Sequence, residues 1–124
     1  MSTIKKIFLV DDDEMLTMAL SDYLTRENPH QIHTFSTGEE AMKHVGEQPD
    51  VVILDFHLDS EERNAKTGLE ILNEIKKYLP NAQYIMLSSQ EKYSVASKTI
   101  QSGAEKYVIK GQEAFKEIAN YIDA

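Results

Sequence analysis

Asp50-Val51-Val52-Ile53-Leu54-Asp55 constrains the fold more than any other stretch of the chain. Four consecutive apolar, mostly β-branched residues between two aspartates spell a strand buried on both faces, the pattern of a central strand in a parallel sheet. Ligand sites in open α/β sheets lie outside the carboxyl ends of the strands, so Asp55 is expected at the lip of the functional crevice.

The remaining elements can be set around that strand. Ile7-Phe8-Leu9-Val10 is a second continuous apolar run, and it stops abruptly at Asp11-Asp12-Asp13-Glu14. Leu16, Ala19, Leu20, Tyr23 and Leu24 follow at helical spacing, with Asp13 as N-cap and Asn28-Pro29 as the stop. Gln31-Ile32-His33-Thr34-Phe35 alternates polar with apolar, which predicts an edge strand with one wet face. Thr37-Gly38-Glu39-Glu40 reads as a capping box opening a short helix through Ala41, Met42 and Val45, closed by Gly46 and Pro49.

Beyond Asp55 the charged segment Asp59-Ser60-Glu61-Glu62-Arg63-Asn64-Ala65-Lys66 predicts an exposed loop. A second capping box, Thr67 to Glu70, starts a helix carrying Leu69, Leu72, Ile75 and Leu79 before Pro80. Tyr84-Ile85-Met86-Leu87 is the fourth strand and ends in Ser88-Ser89. Val95, Ala96, Thr99 and Ile100 mark a helix, with Gly103 in the left-handed position just past its end. Tyr107-Val108-Ile109 is a short fifth strand ending in Lys110, and Phe115, Ile118, Ala119 and Ile122 give a final helix. Five strands alternating with five helices imply right-handed βαβ units and a parallel sheet covered on both faces. With 124 residues, an eight-unit barrel is excluded, which leaves one domain over 1–124 built as an open, doubly wound three-layer α/β/α sandwich.

Charge narrows the function. A formal charge of −8 argues against direct nucleic-acid binding and against anionic membrane surfaces, because phosphate contacts need clustered Lys and Arg. The absence of cysteine removes disulfides and thiolate metal sites and fits a reducing compartment. The apolar run after Met1 is too short for a signal core or a membrane span, so a cytoplasmic protein is expected.

The unusual residues all fall at strand ends: Asp11, Asp12 and Asp13 after the first, Asp55 after the third, Ser88 and Ser89 after the fourth, Lys110 after the fifth. Singly, each has an ordinary explanation as a helix cap, a turn residue or a solvated charge. Converging on one face, the carboxylates would repel one another, and a hard divalent cation bound through oxygen relieves that repulsion. A lysine and a hydroxyl on the same rim suit the oxygens of a phosphoryl group, with Asp55 as nucleophile. His30, His33, His44 and His57 show no metal-ligand spacing, and all except His57 are expected on the surface.

This constellation resembles the receiver domain of two-component response regulators, a CheY-like superfamily, over essentially the whole chain. The matching residues are Asp11-Asp12, Asp55, Ser88, and Tyr107 with Lys110, in the family's order. The resemblance implies a flavodoxin-like sheet of order 2-1-3-4-5. It also implies a phosphoacceptor role for Asp55, with Mg²⁺ (or Mn²⁺) ligated by Asp12, Asp55 and the His57 backbone carbonyl, and Asp11 supporting through water. Ser88 and Lys110 would hold the phosphoryl oxygens, and Tyr107 would be the aromatic that repacks on activation.

The implied partners are a sensor histidine kinase or phosphotransfer protein and a downstream protein or output domain. A homodimer through the face of the Val95–Ile100 helix, the fifth strand and the final helix is implied as well. Such a chain is a switch that handles its own phosphoryl group, not a turnover enzyme. The alternative is a degenerate receiver acting as a phosphorylation-independent interaction module. Two departures stand out: the loop after Leu58 is long and charged, and Gly111 replaces the family's proline after the lysine. A non-proline cis bond costs about 3 kcal/mol, which favours trans at Lys110-Gly111. A nucleotide binder of the same architecture would need a Gly/Ser/Thr-rich loop where the aspartates stand. An aspartate-nucleophile phosphatase would need a second acid at His57.

Overall fold

The computed structural model describes residues 4–26, 28–57, 67–89, 104 and 106–123. The helix expected around Val95–Ile100, Gly103 and the loop Asp59–Lys66 lie outside them. Five strands, β1 (Lys6–Val10), β2 (Gln31–Phe35), β3 (Val51–Asp55), β4 (Gln83–Ser88) and β5 (Lys106–Ile109), form one sheet in the order β2-β1-β3-β4-β5. Every pairing is parallel. Four α-helices are described: α1 (Glu14–Thr25), α2 (Gly38–Met42), α3 (Gly68–Ile75) and α4 (Ala114–Asp123), with a 3₁₀ turn at Val45–Glu47.

The two-residue period of the strands sorts the core into two clusters. Phe8, Val10, Val52, Leu54, Tyr84 and Met86 point to one face and pack with Ala41 of α2 and Ile71, Leu72 and Ile75 of α3. Ile7, Leu9, Val51, Ile53, Ile85, Leu87 and Val108 point to the other and meet Leu20 and Leu24 of α1 and Ile118 and Ile122 of α4. Each fully buried Leu, Ile or Val contributes roughly 1.5–3 kcal/mol of hydrophobic stabilisation, so both helical layers are fixed by the central strands. β3 is buried along its whole length, as a central strand must be.

Local chemistry sets the helix starts. Asp13 caps α1 by accepting from the Leu16 N–H at 3.1 Å. At α3 the Thr67–Glu70 capping box closes in both directions. At α2 Thr37 accepts from the Glu40 N–H at 3.2 Å, while the Glu40 carboxylate pairs with Lys43. The exit from this helical segment also departs from expectation. Gly46 lies inside the 3₁₀ turn, and Gln48 takes the left-handed backbone (φ 53°) that ends it.

Two burial expectations need correction. In α1, Ala19 is exposed and Thr17 is buried, because the Thr17 hydroxyl donates to the Glu14 carbonyl and carries no unpaired polar group inward. β2 is the edge strand expected, but neither face is simply wet. Ile32 packs on the α1/α4 cluster, whereas Phe35 is buried in the α2/α3 cluster.

Candidate functional site

The ladders run one residue past β1 and β5 and, with the last residues of β3 and β4, carry the polar residues to a common edge. The Asp11 N–H donates to the Phe35 carbonyl at 3.0 Å, extending the β1–β2 ladder, and the Lys110 N–H donates to the Ser88 carbonyl at 2.7 Å, extending β4–β5. Asp55 is the last residue of β3 and is in register with Leu87. Backbone donors then orient the acids. The Asp13 N–H donates to Asp11 Oδ1 at 2.9 Å, and the His57 N–H donates to Asp55 Oδ1 at 3.2 Å.

Lys110 joins the two buried acids. Its Nζ lies 3.3 Å from Asp11 Oδ2 and 3.3 Å from Asp55 Oδ1. The contact to Asp11 is an ion pair without hydrogen-bond direction, and Asp11 Oδ2 is buried with no directed donor. Burial pushes the Asp11 carboxyl up from its ordinary 3.8 to about 6, against the lowering effect of the Asp13 N–H; the charge on Asp55 raises it further. Burial alone would pull the Lys110 ammonium down, but the carboxylates, Asp55 first and then Asp11, outweigh it and hold the pKa above its ordinary value.

Ligand atoms of Asp11, Asp12 and Asp55 lie within 4.8 Å of one another. Three carboxylates against one ammonium, with one buried oxygen lacking a directed donor, form an all-oxygen donor set suited to a hard dication. These residues fit Mg²⁺. The open side is a cleft of about 660 Å³ lined by Asp12, Asp13, Glu14, Met15, Asp55, His57, Ser89 and Lys110. Ser88 is fully buried beside it, and Tyr107, in register with Met86, is half-buried against the α2/α3 cluster. Every strand-end residue singled out in the sequence is therefore at this edge of the sheet. All peptide bonds of the described residues are trans, Lys110-Gly111 included.

Two contributors were not apparent from sequence. A Cβ on Gly68 would fall 2.1 Å from the Asp55 carbonyl oxygen and 2.9 Å from the Phe56 Cα. Only glycine lets the α3 N-terminus approach the Asp55 turn, where the Gly68 N–H donates to the Phe56 carbonyl at 3.0 Å. The available signal was a glycine at the first helical position, where a cap needs none. Met15, 82 % exposed at the cleft, is an apolar residue out of phase with the buried stripe of α1.

The expectation of a surface histidine fails at His30, and His33 and His44 are only partly exposed. His30 is 5 % exposed, and the rings of His33 and His44 pack against each other and against Phe35. Sequence spacing hid this because His30 bonds Asp123, 93 positions away. Although their sequence spacing is not that of a metal motif, His33 and His44 bring ligand atoms within 4.8 Å of one another and of Glu47.

Comparison with known proteins agrees with the geometry. The profile of the family described as "Response regulator receiver domain" matches residues 7–123. The response regulator protein VraR of Staphylococcus aureus is 31% identical over 119 residues, covering 94% of this chain and 54% of that one. Among solved structures, the BeF3-activated DrrB receiver domain superposes with a TM-score of 0.83 at 28% identity, covering 97% of this chain and 95% of that chain. The phosphorylated cyanobacterial phytochrome response regulator RcpA gives 0.82 at 25% identity, covering 96% and 91%. The chain spans about half the length of the curated relatives it matches. Among the described residues no helix is long and apolar enough to cross a membrane.

Proposed function

Because the chain belongs to the response regulator receiver domain family, we propose that it accepts a phosphoryl group on Asp55 and switches a protein-interaction surface. The donor is a phosphohistidine on a sensor histidine kinase or phosphotransfer protein. The observation that carries this reading is the Lys110 ammonium set 3.3 Å from both Asp11 and Asp55 at the ends of β1, β3 and β5.

His57 N–H and Lys110 both engage Asp55 Oδ1, so Oδ2 is the attacking oxygen. As its bond to phosphorus forms, the phosphorus–nitrogen bond to the donor imidazole breaks, and the imidazole leaves with the electron pair. Lys110 neutralises charge on the transferring oxygens, and the Ser88 hydroxyl donates to one of them. Asp12, Asp55 and the His57 carbonyl would hold Mg²⁺, with Asp11 acting through water; when bound, the ion offsets negative charge on the phosphoryl oxygens.

Once Asp55 carries the phosphoryl group, movement of Ser88 toward it leaves room for the Tyr107 ring, and a local shift biases a two-state surface. That surface includes β5 and α4 and meets a downstream protein, an output domain or a second copy. We assign the chain, read as one domain, to the cytoplasm.

Mass spectrometry after incubation with a small acyl phosphate and Mg²⁺ tests the assignment. One added phosphoryl group, labile to hydroxylamine and absent in Asp55→Asn, is the expected result. Equal modification of Asp55→Asn refutes it, and an unmodified native chain points to the interaction module instead.

A further inference from the structure

Away from the aspartates, His33, His44 and Glu47 bring one ligand atom each within 4.8 Å of one another. We propose that they form a second cation site, selective for a borderline transition-metal dication of the Zn²⁺ class, which staples the edge strand β2 to the turn that follows α2.

The donor set comes from two local regularities. A 3₁₀ turn has about three residues per turn, so side chains three apart eclipse. His44, its N-cap, and Glu47, its last residue, are therefore stacked, with His44 Nδ1 2.9 Å from the carboxylate. His33 comes from the middle of β2, and its Nδ1 lies 3.2 Å from the same carboxylate.

Metal–ligand bonds of roughly 2.0–2.1 Å in a tetrahedron separate neighbouring ligand atoms by about 3.3 Å. The two hydrogen bonds to Glu47 thus need to open only by a few tenths of an ångström, and the histidine ligand atoms, within 4.8 Å of each other, need to settle to the same spacing. Three protein ligands leave a fourth position for water. The donors are also accessible, with the three side chains 41 %, 42 % and 37 % exposed.

The site is held rigid from behind. The His33 ring lies 4.1 Å from that of Phe35 and meets Phe8 edge-on at 5.8 Å, while the His44 ring stands 5.3 Å from Phe35. Lys6 Nζ donates to the Glu47 carbonyl oxygen at 3.0 Å and pins the turn to β1. Two hydrogen bonds to one carboxylate would by themselves explain the cluster as a structural clasp. Imidazole nitrogen, however, strongly favours Zn²⁺ over Mg²⁺, whereas an all-oxygen aspartate cluster suits the abundant hard Mg²⁺. The two sites would therefore divide the ions by hardness.

Zn²⁺ titration of the whole chain in excess Mg²⁺ tests this, read by calorimetry and by the histidine ring resonances. The expected result is one saturable Zn²⁺ per chain, shifts at His33 and His44, and affinity lowered about tenfold or more in His44→Gln and Glu47→Gln. Glu47→Gln conserves shape and tests the site even where a histidine change disturbs the packing, with circular dichroism checking the fold. Absence of saturable binding, affinity unchanged in both variants, or ring shifts confined to His57 overturns the proposal.

Discussion

Buried against Lys110, Asp11 sits in surroundings that disfavour its charge. Its carboxyl titrates near 6 in the fold, chiefly through burial, against 3.8 ordinarily. Between those values the folded chain holds more protons than the unfolded one, so this group's contribution to stability is full below about pH 4. It is lost as pH rises through about 6. Two units correspond to at most about 3 kcal/mol. Asp11→Asn should accordingly stabilise the metal-free chain by about 1–3 kcal/mol at pH near 7.5 and by much less near 4.5, measured by urea unfolding. Destabilisation at the higher pH would mean that pairing with Lys110 outweighs the burial cost.

His57 borders the same cleft as Asp55. Its contact with Asp55 is made by the backbone N–H, which glycine keeps, so His57→Gly isolates the ring. The ring is expected to shield a phosphoryl group there, so the half-life of the proposed phospho-Asp55 should shorten in the variant. An unchanged or longer half-life leaves only backbone roles for the residue.

The strand ends were legible because a parallel sheet converts the end of each apolar run into a place, and that place is shared by Asp11, Asp55, Ser88 and Lys110. The glycines were less legible, since their role depends on what approaches them. Gly68→Ala puts a methyl 2.1 Å from the Asp55 carbonyl oxygen, whereas a Cβ on Gly111 meets nothing within 4 Å. Overpacking costs about 1–3 kcal/mol, partly offset by up to about 1 kcal/mol of helix propensity. Gly68→Ala should therefore lose about 1–2 kcal/mol and slow phosphorylation by displacing Asp55. Gly111→Ala should do neither; denaturation midpoints and acyl-phosphate kinetics on both variants check this. Helix exits were the other blind spot. Gly46 looked like the stop after α2, but it lies inside the 3₁₀ turn, whose Glu47 carbonyl Lys6 holds and whose reversal falls on Gln48.

Across the whole molecule, the unread contacts are those joining distant parts of the chain. The Lys5 N–H donates to His30 Nδ1 at 3.0 Å, which leaves the proton on Nε2 to donate to Asp123 at 2.9 Å. This buried ring ties α4 to the start of β1. His30→Ala should cost about 2–3 kcal/mol by stranding the Lys5 donor inside, visible in thermal or chemical unfolding; a cost below about 0.5 kcal/mol would show that water replaces the ring. Nothing in the local pattern around His30 announces it, because only the sheet order brings residue 123 near.

Lys110, by contrast, makes the acidic edge tolerable without help from solution: its ammonium already sits between Asp11 and Asp55. The fold is therefore expected not to depend on an ion, unlike small domains whose metal is their folding energy. On the proposed Mg²⁺ dependence, a chelator should disarm this protein while leaving its circular dichroism and unfolding midpoint unchanged. Returning Mg²⁺ should re-arm it in the time of ligand exchange, so a dormant pool could be held in readiness and called up without passing through a refolding step.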